Sequence, residues 1–179
     1  MTTLDTLRDL LPDYARDLQL NLGSVLTPAG APGLAERQIW MVAVATGIAS
    51  GNAAFARELD SLARPQLDAA ALQAAKAAAA IMGMNNVYYR FTHLAEDAEY
   101  RSLPARLRMN VIGNPGVDKV DFELVSLAVS AVNGCGMCVN AHDAVLKKHG
   151  VGREAVQSAV RVAAVVHAVA QVLAFERAA

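Results

Sequence analysis

An all-α fold is predicted by three features of the sequence: an alanine-rich apolar composition, prolines that cut the chain into helix-length pieces, and an internal repeat built from those pieces. Of the 179 residues, 54% are apolar but only 5% are aromatic. Alanine is the best helix former and a poor strand former, so the expected core is Ala, Val, Leu and Met between closely packed helices. A chain of this length can bury one sizeable core. It is expected to form one compact domain over residues 1–179.

The elements follow in order. Prolines stand at 12, 28, 32, 65, 104 and 115. Residues 5–20 read as one or two short helices, and 27–33 (TPAGAPG) as a loop. Residues 36–48 and 52–62 read as helices on either side of Ser50-Gly51, and 67–89 as a long Ala-rich helix. Residues 110–116 (NVIGNPG) form another break. Three more helices are expected over 121–132, 135–148 and 153–176. The run 125–132 would tolerate a strand, but its length and alanine content favour helix.

Two related three-helix halves emerge, residues 36–91 and 121–176. With Glu36 laid over Glu123, Gly47 falls over Gly134; after a small length change, Gln73 meets Gln157 and Phe91 meets Phe175. In this register the first half has Ile48, Gly51 and Phe55 where the second has Cys135, Cys138 and His142. The first half is therefore expected to be catalytically silent.

Charge and cysteine usage narrow the function. With 16 basic and 17 acidic residues, the net charge is -1 and no block of one sign stands out. Neither a nucleic-acid partner nor an anionic membrane surface is expected. Asp5, Arg8 and Asp9 break the N-terminal stretch 1–11, which does not read as a signal peptide. Gln73 and Lys76, or His167 and Gln171, interrupt the longest apolar segments, so no membrane span is expected either. The 2 cysteines, Cys135 and Cys138, close too small a loop to staple a fold. In a protein expected to be cytoplasmic, such a CxxC points to redox or metal chemistry.

The Asn133-Gly134 step ends one helix and starts the next near Cys135. On that next helix Cys135, Cys138 and His142 share one face within about 60° of arc. A helix N-terminus stabilises a thiolate, a histidine one turn away can take the thiol proton, and a second cysteine can resolve a sulfenic acid or mixed disulfide. Zinc is the alternative, but it needs four ligands, and neither a second CxxC nor a well-spaced histidine pair is present. His149 stands too far beyond His142 to serve.

Glu123 lies in a segment apolar nearly all round, residues 120–132 (VDFELVSLAVSAV). A buried carboxylate resists ionisation and can carry a proton. With Asp121 as N-cap, however, Glu123 would lie in the first turn, where acids are favoured anyway. The residues alone leave both readings open. His167 is expected in the core or at an interface, and His93 has no cysteine near it. Tyr88, Tyr89 and Arg90 suggest packing or an interface, and Met82 and Met84 the core.

Residues 121–135 (DFELVSLAVSAVNGC), 79–90 (AAIMGMNNVYYR), 107–116 (LRMNVIGNPG) and 11–22 (LPDYARDLQLNL) closely resemble the alkyl hydroperoxide reductase D family, AhpD, across nearly the whole chain. The Glu…CxxCxxxH pattern is similar to that of a wider superfamily that includes carboxymuconolactone decarboxylase-like proteins. The resemblance implies a helical fold of two related halves, usually a homotrimer, and a thiol-dependent peroxidase of organic hydroperoxides with no bound cofactor. It implies dihydrolipoamide of a lipoylated 2-oxoacid dehydrogenase acyltransferase as electron donor, and a partner peroxiredoxin that the enzyme regenerates. By matching position it gives Cys138 the role of sulfenic-acid-forming nucleophile. Cys135 becomes its disulfide partner and proton donor, with Glu123 and His142 as a proton relay. Some family members carry a histidine inside the CxxC, where this chain has Gly136 and Met137.

Overall fold

Two helices form the centre of the molecule because their sequences leave them no polar face. In α3 (Glu36–Ala49) residues 39–47 are all buried, and in α7 (Lys119–Val132) residues 121–130 are. Apolar on every side, each must be surrounded by other helices. In this computed structural model, which describes residues 3–176, they pack against one another. The long helices α5 (Ala69–Leu94) and α9 (Arg153–Glu176) lie across both. Met1 and Thr2 of the N-terminal stretch and residues 177–179 lie outside the described residues.

The remaining helices cover this centre. They are α1 (Leu4–Arg8), α2 (Arg16–Val25), α4 (Ala53–Ala63), the single turn α6 (Asn110–Gly113) and α8 (Gly136–Lys148), with short 3-10 turns at Asp13–Ala15 and Ala98–Arg101. No strand occurs among the described residues, and the fold is all-helical as the composition predicts. Alanine sets the close approach of α5: Ala71, Ala74, Ala75, Ala78 and Ala79 form its buried stripe. By length and composition α9 is apolar enough to cross a bilayer; here its buried face packs on α2, α3 and α7.

Helix ends differ from expectation where caps decide them. Asp118, not Asp121, caps α7, accepting from the Val120 N–H at 2.7 Å. Asp121 is turned inward instead, accepting from Arg37 Nη1 at 2.7 Å and Gln38 Nε2 at 2.8 Å. The 110–116 break contains the one-turn helix α6, and α5 runs five residues past Tyr89 to Leu94.

The register between the two helical triplets also needs correcting. Gly47 is no turn glycine. It is buried inside α3, where an added Cβ would meet Leu59 Cδ1 at 2.6 Å. Gly51, at φ 81°, makes the α3–α4 turn, as Gly134, at φ 67°, makes the α7–α8 turn. With these glycines superposed, α3 and α7 coincide end to end over 14 residues each. Cys135, Cys138, His142 and Glu123 then stand opposite Asn52, Phe55, Leu59 and Trp40.

Candidate active site

The turn before α8 presents the CxxC. After Val132, the Gly134 N–H bonds the Ala131 carbonyl at 3.1 Å and the Cys135 N–H the Ser130 carbonyl at 3.0 Å. This pair of bonds closes a helix with a left-handed residue, where glycine carries no Cβ penalty. The chain turns at once into α8, with Cys135 as the N-cap rather than the first helical residue. Its Sγ accepts from the Cys138 N–H at 3.3 Å, a place usually held by a side-chain oxygen. The Cα atoms of Cys135 and Cys138 are 5.3 Å apart and their sulfurs are joined as a disulfide.

The two cysteines are not equivalent. Cys135 is 0% exposed and faces the interior. Cys138 is 6% exposed and borders a cavity of about 240 Å³, with Met137, Ala141 and His142 beside it on α8. The opposite wall is α5, through Met82, Asn85 and Tyr89, and the edge is closed by Met109 and Ile112 at α6. Stretch 36–91, read as silent, thus supplies no cysteine to the site but one wall of it.

His142 is held through one ring nitrogen and has Met82 against the other. Nδ1 lies 2.6 Å from Glu123 Oε2, and Nε2 lies 3.3 Å from Met82 Sδ. A carboxylate here accepts from Nδ1–H, which fixes the tautomer and leaves Nε2 as the basic nitrogen on the cavity side. Glu123 is itself buried, at 4% exposure, a full turn past the Asp118 cap. Of the two readings open for it in the sequence, first-turn capping is therefore the one that fails. Arranged this way, a thiol at 138 can lose a proton to the imidazole, with Glu123 stabilising the resulting charge.

A second set of contacts anchors the turn to α5. Asn86 Nδ2 donates to Ser130 Oγ at 2.9 Å and Asn86 Oδ1 accepts from Asn133 Nδ2 at 2.9 Å. Arg90 Nη1 donates to the Asn133 carbonyl. Arg90 is exposed and ties α5 to the α7–α8 turn through this hydrogen bond, whereas Tyr89 borders the cavity with its hydroxyl 3.9 Å from Met109 Sδ. Met82 is buried as expected and also lines the site, while Met84 is only half-buried. His167 is half-buried, its Nδ1 3.2 Å from Ser50 Oγ, tying α9 to the α3–α4 turn; His93 and His149 are exposed. Among the described residues no cluster of three or more His, Cys, Asp or Glu is placed to hold a metal ion.

Known proteins share this arrangement of sequence. The pattern of the carboxymuconolactone decarboxylase family matches residues 98–179. An alkyl hydroperoxide reductase AhpD from Hyphomonas neptunium is 57% identical over 176 residues, covering 98% of this chain and 96% of its own. Those from Rhodospirillum centenum and Streptomyces coelicolor are each 57% identical as well, covering 98% and 93% of this chain and 93% and 92% of their own. The chain belongs to the AhpD family. Its resemblance to that family therefore extends to both triplets and to the helices before them. As an AhpD-family member it carries Met137 inside the CxxC, a residue that lines the cavity with an apolar thioether and offers no proton.

Sequence reasoning missed Asn85, Met109, Ile112, Met137 and Ala141 as site residues, and read Met82 and Tyr89 only as core and as packing or an interface. A signal existed for Asn85. Two adjacent asparagines, poor helix formers, sit near the middle of an alanine-rich helix, and both are buried.

Proposed function

We propose that the protein is a lipoyl-dependent alkyl hydroperoxide reductase. The observation that carries this reading is that Cys138, and not its partner, faces an apolar cavity beside a histidine backed by a buried glutamate. The names of the relatives support the substrate class.

The chemistry runs as follows. His142 takes the Cys138 thiol proton, and the thiolate attacks the terminal oxygen of the hydroperoxide. The O–O bond breaks, the alkoxide takes the proton back from His142 and leaves as an alcohol, and Cys138 becomes a sulfenic acid. The Cys135 thiol then attacks the Cys138 sulfur. The disulfide closes, and the departing hydroxide takes the Cys135 proton and leaves as water. Two thiols have delivered two electrons to the peroxide. Dihydrolipoamide on a lipoylated acyltransferase restores the thiols by exchange, and the reduced protein also regenerates a partner peroxiredoxin.

The same reading takes the protein as a cytoplasmic homotrimer that binds neither nucleic acid nor membrane. The exposed stripe Val87, Phe91 and Leu94 on α5 supports self-association, since side chains at these spacings share one helix face. The match to the decarboxylase family favours a second reading, a generic CxxC oxidoreductase or decarboxylase-like protein of the same superfamily with another substrate.

An NADH-coupled assay separates the two. With dihydrolipoamide dehydrogenase, lipoamide and tert-butyl hydroperoxide, NADH consumption should require this protein and both cysteines. Reduction of the disulfide by dihydrolipoamide without any peroxide turnover would overturn the first reading in favour of the second.

A further inference from the structure

Asn85 is 4% exposed, lines the cavity that Cys138 and His142 border, and has a side-chain oxygen without any hydrogen bond. A buried polar atom in this condition is costly, since nothing replaces the water it lost. Its neighbour shows what a structural asparagine at this depth looks like: Asn86 is bonded at both ends of its amide, to Ser130 and Asn133. The fold itself does not call for an amide at 85. With α5 and α9 superposed from their first residues, Met82, Asn85 and Tyr89 correspond to Val166, Val169 and Leu173, all three buried and apolar.

The other polar groups of the cavity wall already have a role or a partner. His142 is held between Glu123 and Met82, and the Tyr89 hydroxyl points to Met109 Sδ. Besides the His142 base, Asn85 brings to an otherwise thioether- and hydrocarbon-lined wall an amide whose oxygen has no partner.

We infer that Asn85 is a substrate-binding residue whose side-chain oxygen accepts a hydrogen bond from the O–H of a hydroperoxide. The inference rests on the proposed peroxidase function and extends it to the recognition of the peroxide head. The apolar walls take the alkyl part, and Asn85 takes the one donor that every hydroperoxide carries, aiming its terminal oxygen at Cys138. The same proton remains on that oxygen after transfer, so Asn85 also holds the Cys138 sulfenic acid until Cys135 attacks. Selectivity then follows from the chemistry of the head. An oxidant with no O–H gains nothing from this group.

The test compares two oxidants on pre-reduced protein, tert-butyl hydroperoxide and diamide, an azo compound that oxidises dithiols and has no peroxide O–H. In Asn85→Leu, which keeps the bulk and removes the acceptor, thiol loss to the hydroperoxide should slow about tenfold, the worth of one hydrogen bond, with the diamide rate unchanged. The thermal midpoint should hold or rise, because an unpaired buried amide has been replaced by hydrocarbon. An unchanged ratio of the two rates, or equal slowing of both, overturns the inference and leaves the peroxidase reading intact. If wild-type protein fails to react with the hydroperoxide at all, both fall. Should leucine at 85 prevent folding, the same ratio measured in Asn85→Ala decides.

Discussion

The α3–α4 corner and the α7–α8 corner are built on one plan and filled with opposite chemistry. Each has a central helix of 14 residues, a left-handed glycine, and an N-cap whose side chain accepts from the N–H three residues on. At the first corner that cap is Asn52, accepting from Phe55 at 3.1 Å; at the second it is Cys135, accepting from Cys138 at 3.3 Å. Around the first stand Trp40, Phe55 and Leu59, buried and apolar. Around the second stand Glu123, Cys138 and His142. The backbone that presents a cap is thus indifferent to what the cap does, and reactivity enters through side chains that the geometry already brings together.

The largest expected effect breaks the second corner outright. Cys138→Ser should abolish peroxide turnover. Cys135→Ser should instead leave a sulfenic acid on Cys138 that a dimedone-type reagent traps. The opposite labelling pattern would make Cys135 the nucleophile and remove the meaning of its burial away from the cavity.

The first corner should respond in stability alone. Phe55→Ala removes a fully buried side chain and should cost about 3–5 kcal/mol, read by denaturant unfolding. Its kcat, measured at a temperature where the variant remains folded, should equal wild type. A drop in kcat would show that the corners are coupled rather than merely similar.

Next in size is the relay. Glu123→Gln and His142→Ala should each slow hydroperoxide turnover about a hundredfold, the ordinary share of general acid–base catalysis. Circular dichroism should report an intact fold. Wild-type rates in either variant would reduce the 2.6 Å pair to a packing contact.

How much of this was visible in the sequence depended on reach. The face shared by Cys138 and His142 is a matter of helical spacing and was legible. Glu123 stayed ambiguous because Asp118 and Asp121 are equally good caps in isolation. What distinguishes them is Arg37 and Gln38, which claim Asp121 from far away in the chain. The cavity wall on α5 depends on where that helix crosses α7 and α8, which no local pattern encodes. Gly47 misled because a glycine that admits a neighbouring Leu59 and a glycine that turns the chain are the same letter.

The smallest expected effect sharpens the comparison most, because it removes packing from it. At Gly51 and Gly134 an added Cβ would meet nothing within 4 Å, so alanine there has room and only the backbone objects. Both residues have positive φ, 81° and 67°, where an L side chain costs about 1–2 kcal/mol. Gly51→Ala and Gly134→Ala should therefore destabilise by similar amounts in urea unfolding. Gly47→Ala should behave differently, since its Cβ would sit 2.6 Å from Leu59 Cδ1 and its cost is set by how far that side chain can move. Activity then separates the two turns. Any shift at Gly51 leaves the cavity alone, whereas a shift at Gly134 moves Cys135 and with it the sulfur that closes the disulfide. Peroxide turnover should fall in Gly134→Ala and hold in Gly51→Ala. Equal turnover in both would mean that the Asn86–Ser130–Asn133 contacts, and not the glycine, fix the position of Cys135.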